Sequence, residues 1–322
     1  MFQQALLKHI KEELPENTSL NDAIATVLEI SYDAAHRRTS LKSKFSLEES
    51  VVLATHFKIS LDSLFSITNK QFVTVEKTNQ ITNELALQKY FVDSYNSLLP
   101  LLTQKESRIF YSAKDIPLFY TLKGGRFTDF KIYVWLKLSD KNFKQKSFDN
   151  FHPQLSTLQA AKKLGSLYQD LPISEIWDIT SVNSMLKQLH FYYLAGQISS
   201  ETSLELCDLL KEMIVEISKK VTPENDRYRF YYDELLLMNN NVLVTTSQMQ
   251  SLYVQFSLLS YYLTNDKQTC YQAKEYFEKQ LQNSKLLNTS GEKERNTFFN
   301  RMLQKVDALY KLIEARTVLD FE

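Results

Sequence analysis

Apolar residues recur at helical spacing along most of the chain. Phe2, Leu6, Ile10 and Leu14 lie about one turn apart, and Pro15 closes that first helix. Asn17-Thr18-Ser19 supplies cap-forming residues before Leu20 to Leu28, where Leu20, Ile24 and Val27 or Leu28 face inward and Asp22 favours the amino end. Glu29-Ile30-Ser31 makes a tight turn, and Ser31 caps a third helix from Tyr32 to about Ser40. Ser46, with Glu48 and Glu49 in the first turn, starts a fourth helix from Leu47 to Phe57. Its apolar positions are Leu47, Val51, Leu53, Ala54 and Phe57. Ser60 caps a short fifth helix, Leu61 to Phe65.

Beyond a polar, β-branched stretch at Thr68 to Asn79, the pattern continues. Helices are expected over Ile81–Leu102, Ser107–Leu122, Leu155–Leu171, Ile173–Ala195, Ser200–Lys220, Asp226–Met238, Thr246–Leu263, Lys267–Ser284 and Ser290–Ala315. Phe127 to Leu136 suits a buried helix or, by propensity, a strand. With no partner strands evident, helix is preferred. Gly124-Gly125, Pro172, Gly196-Gln197, Thr222-Pro223, Asn239-Asn240-Asn241 and Asn288 to Gly291 read as turns. The expected fold class is all-α: a five-helix amino-terminal domain over residues 1–66, a linker over 67–80, and a helical bundle or α-solenoid-like domain over 81–322.

Composition sharpens this picture. Five glycines and six prolines in 322 residues leave little room for glycine-rich phosphate loops or turn-rich β-sandwiches. Acidic and basic residues balance at 38 each, which excludes a globally basic binder or an acidic disordered chain. Cys207 and Cys270 lack metal spacing and are expected as buried, reduced thiols. The first fourteen residues are amphipathic and charged, unlike a signal peptide, so a cytoplasmic protein is expected.

Two short helices joined by a tight turn, then a cap and two further helices, form a helix-turn-helix arrangement. The run Leu20 to Phe65 resembles the Xre/Cro-type DNA-binding domain, which is λ-repressor-like. Ala23 matches its small residue, Ile30-Ser31 its turn, Ala35 the buried position of its recognition helix, and Leu47 to Ala54 the next helix. Ile59-Ser60-Leu61-Asp62-Ser63-Leu64-Phe65 matches its closing signature. Two departures stand out. Leu41 occupies a loop position where the family has Gly, and since Leu takes positive φ only at a cost, the loop is expected to turn differently. Arg38 stands where the family has an apolar residue. The whole layout is similar to peptide-responsive regulators of Gram-positive bacteria. It is also similar to Bacteroidetes-type regulators with a large helical domain, through Ser31 to Arg38, Ala113-Lys114-Asp115-Ile116-Pro117 and Glu292-Lys293-Glu294-Arg295.

Between Ala34 and Leu47 the chain carries His36, Arg37, Arg38, Lys42 and Lys44 and no acid, the footprint of a phosphate-binding face. Recognition-helix geometry points to Tyr32, Asp33, His36 and Arg37 for base edges. Lys42, Ser43 and Lys44 are candidates for phosphates, and Ser19 with Asn21 for a phosphate at the second helix. Ser31 and Arg38 complete the candidate DNA-binding set. The resemblance implies a transcriptional regulator of double-stranded DNA, dimeric, with a peptide or small-molecule effector. The dimer contact is expected from about Ile81 onward, because the first domain has little spare apolar surface: Leu20, Ile24, Val27, Leu28, Val51, Leu53, Phe57 and Leu64 are all needed for its own core. A helical protein-interaction module without a DNA role is the alternative. No HExxH, GxSxG, Walker loop, CxxC or GxGxxG occurs, so neither enzyme chemistry nor a cofactor or metal is expected. His152 and His190 stand apart from acids and cysteines. Asp233-Glu234 reads as the wet side of a helix. Tyr192, Tyr193, Tyr253, Tyr261 and Tyr262 suit either core or an aromatic pocket.

Overall fold

The computed structural model describes residues 2–15, 18–61, 64, 73–145, 147–235 and 239–318. The chain divides into two compact units, Met1–Val75 and Glu76–Glu322.

The first unit is helical: α1 (Phe2–Glu13), α2 (Leu20–Leu28), α3 (Tyr32–Thr39) and α4 (Leu47–His56). Leu6, Leu7, Ile10, Ile24, Ala35 and Leu53 form its core, with Phe45, Phe57, Ile59, Leu61 and Leu64 packed around it. Leu47 and Val51, expected inside, are exposed, as is Val52. The helix expected over Leu61 to Phe65 lies largely outside the described residues, although the Leu64 amide bonds the Ser60 carbonyl at 3.0 Å.

The second unit corrects the all-α expectation, because it is built on an eight-stranded mixed sheet. The strands are β1 (Glu76–Lys77), β2 (Arg108–Ala113), β3 (Ile173–Trp177), β4 (Tyr228–Tyr232), β5 (Asn241–Thr245), β6 (Gln250–Gln255), β7 (Tyr261–Thr264) and β8 (Lys285–Leu286). Their order is β1-β7-β6-β5-β2-β3-β4-β8. β2, β3 and β4 run parallel in the middle, and every other pairing is antiparallel. The helices are α5 (Glu84–Leu98), α6 (Arg126–Ser139), α7 (Leu155–Asp170), α8 (Asn183–Leu194), α9 (Ser200–Lys220), α10 (Lys267–Asn283) and α11 (Glu292–Val318). Thus four expected helices contain strands: Ser107–Leu122 holds β2, Ile173–Ala195 begins with β3, Asp226–Met238 holds β4, and Thr246–Leu263 holds β6 and the start of β7. The α6 segment is helical, as the sequence suggested.

Pleating explains the two faces. Ile109, Tyr111 and Ala113 of β2, Ile173 and Trp177 of β3, and Phe230 of β4 point to one core, shared with α5 to α9 and α11. Phe110, Ile176, Tyr231 and Leu243 point the other way, where α10 covers them with Cys270 and Phe277. β3 is buried at all five positions, as expected for a central parallel strand. Both crossovers, α6 with α7 and α8 with α9, lie on the heavily covered face.

That face encloses a carboxylate. Glu175 is fully buried in β3. Tyr168 of α7 donates to its Oε1 at 2.6 Å. Tyr228 of β4 and Trp177 donate to Oε2 at 3.0 and 2.9 Å. Tyr120, from a 3-10 turn at Leu118–Thr121, lies 2.9 and 3.0 Å from the two oxygens and 2.8 Å from the Tyr228 hydroxyl. Burial raises the Glu175 carboxyl above its usual value, while hydrogen bonds from Tyr168, Tyr120, Tyr228 and Trp177 favour the charged form. A close approach helps seat this layer. A Cβ on Gly165 of α7 would lie 2.8 Å from the Leu122 carbonyl oxygen, so only glycine fits without a shift.

Glu175→Ala should destabilise the second unit by about 3–5 kcal/mol, because it strands buried donors, whereas Tyr168→Phe should cost only about 1–2 kcal/mol. Urea unfolding followed by tryptophan fluorescence distinguishes the two. The raised carboxyl also gives a pH signature. Its ionisation opposes folding, so this contribution is fully favourable below the unfolded value of 4.5 and declines as pH rises toward the higher folded value. Glu175→Gln should flatten that decline.

Candidate nucleic-acid interface

The first unit sets α3 behind a turn of fixed shape. Glu29 ends α2 in the left-handed region at φ 53°, its amide meeting the Ala25 and Thr26 carbonyls. Two residues later the Ser31 hydroxyl accepts from the Ala34 amide at 3.3 Å and caps α3. Ala35 is fully buried against the core, and the outward positions of α3 carry exposed Tyr32, Asp33, His36 and Arg37. Asn21 of α2 spans both ends of α3: its Nδ2 donates to the Tyr32 hydroxyl at 3.2 Å, and its Oδ1 accepts from Thr39 at 2.5 Å. Asn21 therefore orients Tyr32. Ser19 precedes α2 exposed, with its side chain making no cap bond.

Arg38 turns away from this face. Its Nε and Nη2 grip both oxygens of Glu49 at 3.1 and 2.6 Å, and Nη1 donates to the Ala34 carbonyl. The fork ties α3 to α4, and the Arg38 hydrogen bond leads the causes that hold the Glu49 carboxyl below its usual range. Glu49 also completes a capping box with Ser46. The charged Arg38 is thus accommodated by a partner one helix away.

The loop after α3 also departs from expectation. Leu41 does take the left-handed conformation, at φ 62°, where a glycine was looked for. The surrounding chain holds it there. The Leu41 amide bonds the Arg38 carbonyl and the Ser43 amide bonds the Arg37 carbonyl. The Gln3 amide of α1 donates to the carbonyls of Arg38 and Ser43 at 2.8 and 2.9 Å, and its oxygen accepts from the Phe45 amide. Gln3 escaped the sequence reading because it lies about forty positions away on another helix. Lys42 and Lys44 remain exposed, but the Ser43 hydroxyl is buried without a partner. Among the described residues Arg37, Lys42 and Lys44 form no ion pair.

The second unit redistributes the other candidates. The end of the helix expected up to Met238, which Asn239-Asn240-Asn241 is expected to close, lies outside the described residues. The asparagine run leads into β5, and buried Asn240 clasps Asp115 through both amide atoms. Asp233 follows β4 and accepts from Ser284 at 3.2 Å. His152 is exposed, and His190 leaves its Nε2 buried and unbonded. Tyr192 packs in the core and also borders a hollow, and Tyr253 and Tyr261 border cavities. Both cysteines are free and buried, and burial pushes the Cys207 thiol up to about 11. Among the described residues no group of three or more His, Cys, Asp or Glu could hold a metal ion, and no helix is long and apolar enough to cross a membrane. Comparison with protein-family models, curated proteins and solved structures finds no match to this chain.

The left-handed strain at Leu41 should be measurable. A non-glycine residue there costs about 1–2 kcal/mol, partly offset by the extra unfolded-state freedom glycine brings. Leu41→Gly should therefore raise stability by about 0.5–1 kcal/mol, and Leu41→Val, whose branched carbon suits positive φ worse, should lower it. Thermal unfolding of the full chain, followed on the transition of the first unit, checks the order Gly above Leu above Val.

Proposed function

We propose that the protein is a sequence-specific DNA-binding transcriptional regulator. The observation that carries this reading is the capped α3. Its inner side is sealed by Ala35, and its outer side offers Tyr32, His36 and Arg37 beside the exposed Lys42 and Lys44. Such a helix suits the major groove, with its amino-terminal residues toward base edges. Arg37 forks onto a guanine, Tyr32 meets a thymine methyl or a phosphate, and Asp33 accepts from a cytosine. Lys42 and Lys44 neutralise phosphates, and the exposed amino end of α2 at Ser19 seats another. Ser31, Asn21 and Arg38 hold α3 in place rather than reading sequence.

A homodimer belongs to this proposal, since paired half-sites give the affinity that specific control needs. The reading that the first unit has no spare apolar surface does not survive. Exposed Leu47, Val51 and Val52 on α4 favour a protein contact there as well as through the second unit. The same observation favours the second reading, an interaction module without DNA.

Selection of bound fragments from a genomic pool by the full chain tests the proposal, and a failure to enrich any sequence refutes it. On an enriched site, Arg37→Ala should cost about 1–3 kcal/mol and relax preference at one base pair. Replacing Lys42 and Lys44 together with Ala should flatten the dependence of log K on log salt by about two units. An unchanged slope removes that loop from the interface.

A further inference from the structure

β2 is the point where the chain changes direction across the sheet. β3 and β4 extend to one side of it, β5, β6 and β7 to the other. Here β2 ends at Ala113, and Asp115, two residues on, lines a cavity of about 110 Å³. An outer hollow of about 500 Å³ shares Asp115, Ser184 and Gln188 with it.

The inner cavity contains a buried cation. Lys131 of α6 is 5% exposed and lines it. Among the described residues its ammonium has one hydrogen-bond partner, the neutral Gln188 oxygen at 2.7 Å, and it lies 5.3 Å from the Trp135 ring. It forms no ion pair among the described residues. Asp115 lines the same space, and its charge favours the ammonium from beyond contact distance. Asn240 holds Asp115 from behind, with its amide at 3.1 Å from Oδ2. Trp135, Met185 and Leu259 supply an apolar wall. A cavity thus presents a cation and an anion at separate places, around a space somewhat smaller than the ~150 Å³ that holds a benzene-sized molecule.

We infer that this cavity binds a small zwitterion of the α-amino-acid class. Its carboxylate lies on Lys131 and its ammonium on Asp115, and its side chain rests against the Trp135 wall. A carboxylate would give the buried ammonium a charged partner at contact distance, which none of the described residues supplies. Asp115 selects against simple carboxylic acids, which would leave its own charge facing theirs. Burial lowers the Lys131 ammonium to about 8, so the empty site loses its cation as pH rises past that value. To name the ligand an effector rests on the regulator reading above, but binding itself does not.

The experiment is calorimetric titration of the full chain, without DNA, against each protein L-amino acid and against the matching acids and amines that lack one charge. At least one amino acid should bind, and its des-amino acid should bind at least about tenfold more weakly. Affinity should fall about tenfold per pH unit above 8. Lys131→Met should weaken binding by about 100-fold or more, and Asp115→Asn by about tenfold. Near-UV circular dichroism verifies that each variant is folded. Should Lys131→Met fail to fold, Asp115→Asn at the half-buried rim and the pH dependence decide. The proposal is overturned if no amino acid binds, if the des-amino acids bind equally well, or if affinity is flat from pH 7 to 10. None of these outcomes depends on whether α3 binds DNA, because DNA is absent from the measurement.

Discussion

A carboxylate sealed inside a sheet must find donors, and at Glu175 that requirement organises the second unit. Its partners arrive from the turn after β2, from α7, from β4 and from β3 itself. None of these segments can slide relative to the sheet without leaving a buried oxygen or hydroxyl unpaired, which costs more than an equal loss of apolar contact. The aromatic rings reinforce the same geometry: Phe119 stacks on Tyr168 at 4.0 Å, and Tyr120 meets Tyr168 edge-on. Apolar burial gives this layer its cohesion, and the carboxylate gives it register.

Lys131 faces the same side of the sheet and meets the opposite treatment. Among the described residues Glu175 is enclosed by four donors, whereas Lys131 has one neutral acceptor and an aromatic ring. Protein interiors tolerate a buried charge when its bonding capacity is filled. One group is filled from within and fixes structure. The other is left incomplete beside a cavity at the end of β2, where incompleteness is compatible with a role in recognition.

The helical first unit was legible because its signals are local. Ser31 and Ser46 announce helix starts within three residues of what they cap. The sheet was missed because strand pairing is non-local, and because Leu, Tyr and Phe satisfy helical and strand periods alike over short runs. Asn241-Val242-Leu243-Val244-Thr245, bounded by asparagines, carried the clearest strand signal, and Tyr228-Arg229-Phe230 alternates as a strand should. Ile173-Ser174-Glu175-Ile176-Trp177 was harder, since a charged residue in a buried strand contradicts ordinary patterning. At the candidate interface, the outward residues of α3 followed from helix geometry. The destinations of Arg38, Leu41 and Gln3 did not, since each depends on a partner distant in sequence or on a backbone shape that sequence disfavours. The Lys131 cavity left no motif, because its polar groups come from four separated segments.

The sheet begins with its last neighbour. β1 at Glu76–Lys77 is an edge strand whose partner, β7, lies some 180 residues further along, and α11 at the far end supplies Phe298, Phe299, Met302 and Val306 to the main core. On a ribosome releasing a few residues each second, the early strands must therefore wait for most of the chain to emerge before their covered face can close. The first unit, which is complete by Val75, faces no such delay. A nascent chain would carry a finished helical head while its α/β body still exposed the aromatic surface of β2 and β3, which makes the interval before α11 appears its most vulnerable time for misassociation.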